Sequence, residues 1–152
     1  MELEFRAWYE GKMYQNVGIK PFSILLYDWE ALGNKLAMPK LIEEVGRDLD
    51  IKTMQYTNRK DKNDKKIFKD DFIQNPWKSC SGKEIGRTWV VKFGEHSFDD
   101  QYGGISSAWG FYAKEINKIY PERRPLNTLP SDDGIIQIGN IHEDKHLIKE
   151  II

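Results

Sequence analysis

The chain has 152 residues, 39 % hydrophobic and 31 % charged, with a formal net charge of -1. It is long enough for one domain to bury a core without staples, and its near-neutral balance excludes a protein devoted to constitutive, non-specific nucleic-acid binding. The single cysteine, Cys80, excludes an intramolecular disulfide, and no apolar run approaches the ~20 residues of a membrane span.

The opening "MELEFRAWYE" has no basic start followed by an apolar stretch, so no signal peptide is expected and the chain is read as cytoplasmic. Leu3, Phe5 and Ala7 alternate with Glu4, Arg6 and Trp8, which predicts a strand. "YEGK" supplies a Gly-containing turn, and Met13-Tyr14 begins the partner strand. "KPFSILLYDWE" reads as another strand. "MPKLIEEVGRDLD" then predicts a short helix: Pro39 suits a first turn, and Leu41, Ile42, Val45 and Leu49 share a helical face. Against it, Gly46 costs ~1 kcal/mol in a helix interior.

"IKTMQYT" returns to alternation, "NRKDKNDKK" is a charged turn, and "IFKDDFI" is apolar again; together they predict a hairpin or two barrel strands. "NPWKSCSGKEIG" is loop. "RTWVVKFG" is the clearest strand, β-branched and aromatic and closed by Gly94. "EHSFDDQYGG" reads as a turn or loop and "ISSAWGFYA" as a strand. "KEINKIYPERRP" predicts one or two helical turns ended by Pro121, followed by loop through "LNTLPSDDG". "IIQIGNI" is a strand, and "DKHLIKEII" predicts a terminal helix with Leu147, Ile148, Ile151 and Ile152 inward. The expected fold is mainly β: one domain over 1–152, a small, partly open barrel of antiparallel strands and hairpins with a few short helices.

Three stretches carry a family resemblance. "EFRAWYEGKMY", "MQYTNRKDKNDKKIFKDDFI" and "IGNIHEDKHL" resemble, in order and spacing, the YopX family of phage and prophage proteins. The middle motif is the specific one, with a family form close to Met-Gln-Tyr-Thr-Gly, Asp-Lys-Asn-Gly and Ile-Tyr-Glu-Gly-Asp. Here Asn58, Asp64 and Asp70 stand where glycine is usual. Asn and Asp are the residues most tolerant of positive φ after glycine, so the same turns are expected. The resemblance implies a mainly β fold with a small barrel and a phage or prophage setting. It implies no catalytic residue, because the family has no assigned activity.

"HEDKH" at 142–146 matches the His-Glu-x-x-His string of zinc peptidases. Ligation needs both histidines on one helix face and a third protein ligand. The lead-in "IIQIGNI" is β-branched, Asp144 is placed to cap the terminal helix, and only Glu150 follows as a candidate ligand. The two histidines are therefore assigned to different elements, and no metal or other cofactor is expected. His96 reads as a solvated turn residue. "DKNDKK" opens like a calcium loop but has Lys66 where Gly is required and Phe72 where Glu belongs. "SGKE" lacks the Ser or Thr of a phosphate loop, and "GISSA" around Ser106 falls short of a nucleophile elbow. Cys80 has no placed partner. The pairs Asp70-Asp71, Asp99-Asp100 and Asp132-Asp133 read as solvated turns.

Two surfaces are left. Arg59, Lys60, Lys62, Lys65 and Lys66 crowd one turn flanked by Tyr56 and Phe68, which suits single-stranded nucleic acid, although Asp61, Asp64, Asp70 and Asp71 dilute the field. Trp8, Trp77 and Trp109 stand near turns or glycines and could mark a contact surface. The expected function is a non-enzymatic accessory protein that contacts itself as a homo-oligomer, or a phage or host protein. The alternative is weak nucleic-acid binding through the hairpin at 59–69, and a metal-dependent hydrolase ranks below both.

Overall fold

A computed structural model describes residues 3–30, 38–46, 50–75, 80–82, 86–99, 104–117 and 134–148. The fold is mainly β, and every pairing with a defined register is antiparallel. The chain divides into two compact units, Met1–Tyr56 and Thr57–Ile152.

In the first unit, strand β1 (Phe5–Tyr9) turns into β2 (Lys12–Tyr14) with Tyr9 opposite Lys12. The two loop residues, Glu10 and Gly11, have φ of 49° and 76°. That is the two-residue turn whose twist matches the flanking strands, and it needs positive φ at both places. The other edge of β1 pairs with the start of β6 (Lys52–Lys60), Phe5 facing Gln55. A second sheet runs β3 (Asn16–Ile19), β4 (Ser23–Glu30), β5 (Met38–Gly46). Ala7, Tyr9, Ile24, Leu26 and Val45 form the core of this unit, with Tyr14, Val17 and Ile51 against it.

The helix expected over 38–50 is a strand as far as Gly46. β5 lies along β4 from Ser23↔Gly46 to Glu30↔Met38, with a bulge at Leu26/Tyr27. The helical spacing of Leu41, Ile42 and Val45 is outweighed by this pairing, which buries Val45 and leaves Leu41 and Ile42 about half exposed. Pro39 is tolerated because β5 is an edge strand.

In the second unit the rest of β6 pairs with β7 (Lys66–Phe68). A four-stranded sheet has the order β10-β9-β8-β11, from β8 (Asp71–Asn75), β9 (Arg87–Asp99), β10 (Ile105–Ile116) and β11 (Ile136–Asn140). Alternation puts Ile73, Trp89, Val91 and Ala113 on one face, packed with Ile67 and Ile135. The other face carries Phe72, Val90 and Ile116, covered by Ile138, Ile141, Leu147 and Ile148.

Three further expectations are corrected here. The turn placed at 95–104 is largely strand, because β9 continues to Asp99 in unbroken register with β10. The helical turn expected from Lys114 is strand through Ile116, which is fully buried; residues 118–133 lie outside the described residues. Of the expected C-terminal helix, the described part holds a single 3-10 turn over Lys145–Leu147, and residues 149–152, with Ile151 and Ile152, lie outside the described residues. Asp144 does not cap it. Its carboxylate turns back and accepts the Asn140 N–H at 3.1 Å. Leu147 and Ile148 do face the core as expected.

Candidate interaction surface

The middle and last family-like stretches meet at a set of pinned turns. Asn58, Asp64 and Asp70 have φ of 64°, 66° and 72°, so all three non-glycine residues hold the left-handed conformation expected of them. Asp61, 7 % exposed, closes the β6–β7 tip. Its Oδ1 accepts the N–H groups of Asn63 and Lys65 at 2.8 and 2.9 Å, and its Oδ2 accepts that of Gln137 at 2.9 Å. Burial pushes the Asp61 carboxyl up, but these three N–H groups and the Lys65 charge outweigh it and hold it below the ordinary carboxylate range.

Asp71 is fully buried and accepts the Phe68 N–H at 2.8 Å. Asp70 takes His142 Nε2 at 3.2 Å, and its carbonyl accepts the Ile141 N–H. Asn140 Oδ1 accepts the N–H groups of His142 and Glu143. Most of these side chains serve the backbone, several of them within two to four residues, while the Asp61–Gln137 and Asp70–His142 contacts join parts of the chain that lie far apart in sequence.

The basic turn is a hairpin tip. Lys60, Lys62, Lys65 and Lys66 are exposed and Arg59 is half-buried. Lys60 Nζ lies 3.6 Å from Asp64 Oδ1. Tyr56 and Phe68, expected to offer stacking faces, are both buried at 4 % exposure. The single-strand stacking geometry is therefore not built.

Of the three tryptophans, Trp8 is half-buried, Trp77 lies outside the described residues, and Trp109 is 75 % exposed. Trp109 sits on a ribbon formed where β9 and β10 outrun their neighbour: β8 reaches only Phe72↔Val90, whereas β9–β10 pairing continues to Asp99↔Ile105. Period-two alternation carries one sheet face out along this ribbon. After Val91 and Ala113, which are buried, come Phe93 opposite Phe111, Glu95 opposite Trp109, Ser97 opposite Ser107, and Asp99 opposite Ile105. Phe93 and Phe111 meet edge to face at 4.9 Å, Phe93 is half exposed, and Ile105 is 78 % exposed. The apolar face of the core thus runs beyond its cover.

On the opposite ribbon face, His96 and Tyr112 stack at 4.7 Å. They lie diagonally across the intervening Gly94–Gly110 row. Both glycines have φ near 150°, a conformation closed to other residues. Sequence reasoning ended the strand at Gly94 and so missed Phe93, Phe111 and Ile105 as neighbours of Trp109.

Among the described residues, no group of three or more His, Cys, Asp or Glu could hold a metal. His142 faces Asp70, and His146 lies exposed in the 3-10 turn. Cys80 is an exposed free thiol. In the first unit an open groove of about 330 Å³ is lined, among the described residues, by Phe5, Ile19, Ile24, Ile51 and Thr53. Its only side-chain polar group there is a hydroxyl. No helix among the described residues is long and apolar enough to cross a membrane.

These features define a class: a mainly β protein whose turns are pinned by buried carboxylates and whose longest hairpin displays aromatic side chains. A model of the YopX protein family matches residues 4–149, and the chain belongs to that family. The crystal structure of protein EF1440 from Enterococcus faecalis is similar over 98 % of this chain and 99 % of that one, with 20 % identity and a TM-score of 0.54. That likeness concerns the fold. No curated protein matches the chain.

Proposed function

We propose that this YopX-family chain is a non-enzymatic accessory protein of a phage or prophage. It works in the host cytoplasm by protein contact, as a homo-oligomer joined through the β9–β10 ribbon. The phage setting follows from the family resemblance. The observation that carries the contact reading is the stripe Phe93, Trp109, Ile105, which leaves about 400 Å² of large apolar side chain exposed on one face. The Ser97–Ser107 row separates Ile105 from Trp109, so this is a series of exposed apolar side chains along one face, and aromatic side chains dominate contact energetics.

Sedimentation of the wild type and of a Trp109→Lys, Ile105→Lys double variant tests it. The wild type assembles at micromolar concentration and the variant sediments as a monomer with its fold intact. A monomeric wild type, or a variant that assembles equally well, overturns the homo-oligomer reading.

A further inference from the structure

The folded β6–β7 hairpin sorts its charges by sign. In the sequence, four aspartates, at 61, 64, 70 and 71, appear to cancel the cations of residues 59–66. In the structure three of the four are turned inward. Asp61 is spent on three backbone N–H groups, Asp71 is fully buried on the Phe68 N–H, and Asp70 faces His142. Only Asp64 is exposed, beside Lys60. Lys60 lies at the end of β6 and Lys66 at the start of β7, with Lys62 and Lys65 on the turn between, so the cations straddle the tip. Arg59 stands half-buried at the base.

The tip is held in shape rather than loosely tethered. Asp61 N–H donates to the Lys65 carbonyl at 2.8 Å, and Lys62 N–H donates to the Ile135 carbonyl at 3.0 Å, which ties the turn to the segment leading into β11. A rigid, outward-facing cationic tip on a near-neutral chain is a local electrostatic feature that net charge conceals.

We propose that this tip binds the phosphodiester backbone of nucleic acid, reading phosphates and not bases. With Tyr56 and Phe68 buried, no ring among the described residues of the tip is offered to stack on a base, so single and double strands bind alike. The same burial argues against a lipid surface, because Ile67 and Phe68 are inside and no apolar side chain of β7 is offered for insertion. None of these residues belongs to the Trp109 stripe, so the two readings stand or fall separately.

The test is fluorescence polarisation with labelled single- and double-stranded DNA of about 20 nucleotides at ~20 mM salt, then across a salt series. Vesicles rich in an anionic phospholipid form a parallel arm. The wild type binds both DNAs within about threefold of each other, with affinity falling steeply as salt rises. Lys62→Glu with Lys65→Glu costs at least about tenfold in affinity and lowers the log–log salt slope by about 2, one unit per phosphate contact. Lys62→Arg with Lys65→Arg retains binding. Should the charge reversal perturb folding, the milder Lys62→Gln, Lys65→Gln pair gives the same direction with a smaller loss. Absence of binding by the wild type at low salt overturns the proposal. So does affinity that survives the charge reversal, or binding confined to the vesicles.

Discussion

Replacing Asp61 by Ala removes the acceptor of three backbone N–H groups at once. Bonds to a charged acceptor are worth about 1.5–3 kcal/mol each when buried. Asn63 and Lys65 are exposed residues whose N–H groups regain water, so each loses well under that. Gln137 sits in β11 and its N–H is half-buried, so it carries most of the loss. The expected cost is about 3 kcal/mol in urea unfolding followed by tryptophan fluorescence, or roughly 6–12 °C in Tm.

The pH dependence separates this account from simple loss of packing. Asp61 is held below its ordinary value of 3.8. Its ionised form is therefore favoured by folding: the contribution is fully present above that ordinary value and is lost as pH falls through the lower folded one. Asp61→Asn, which keeps the shape, should be less stable than wild type at pH 6, with the gap narrowing steadily below pH ~4. A gap equally wide at pH 6 and at the acid limit of folding would falsify the electrostatic argument. A cost under ~1 kcal/mol for Asp61→Ala would dispose of the pinning argument itself.

Three other substitutions probe backbone and packing. Asp64→Gly should leave stability within about 0.5 kcal/mol of wild type or raise it, whereas Asp64→Val, β-branched at φ 66°, should cost about 1–2 kcal/mol by chemical denaturation. Gly94→Ala has open space for its methyl group but the wrong φ; it should cost about 1–2 kcal/mol and abolish the ring-current shifts that Tyr112 imposes on His96. A Cβ at Gly139 would lie 2.5 Å from Asp144 Oδ2, so Gly139→Ala should destabilise. Asp144→Ala in that background should recover part of the loss, and a double-mutant cycle with no coupling refutes the contact.

Locally encoded features were legible in the sequence and non-local ones were not. Gly11 announced its turn, and the family pattern marked Asn58, Asp64 and Asp70, since positive φ selects glycine or a short polar side chain at the residue itself. Alternation in "EFRAWY" and the β-branched and aromatic run "RTWVV" announced β1 and β9, again from local residues alone. β5 was misread because Leu41, Ile42 and Val45 satisfy a helical period, and only the β4 partner decides otherwise. β9 appeared to stop at Gly94, which looks like a terminator until Gly110 is seen opposite it. The expected cap at Asp144 failed because its side chain goes back to Asn140 instead of forward into the next turn. Asp61 looked like a diluting charge; its role depends on Gln137, 76 residues away.

The same division separates what family membership conveys from what it does not. In the middle and last family-like stretches, the positions with a definite structural task shape or pin backbone: positive φ at Asn58, Asp64 and Asp70, and buried acceptors at Asp61, Asp71 and Asn140. Glycine at the first three would serve the turns as well, which is why a chain can diverge there and keep its path. A match built on such positions identifies a scaffold. Of the side chains that this scaffold offers outward, Lys62 and Lys65 on its tip and Phe93, Trp109 and Ile105 along its ribbon, only Lys65 bears on a turn, through its charge beside Asp61. Substitution at these outward positions should therefore change what the protein contacts while leaving its unfolding transition in place, the reverse of what substitution at Asp61 does.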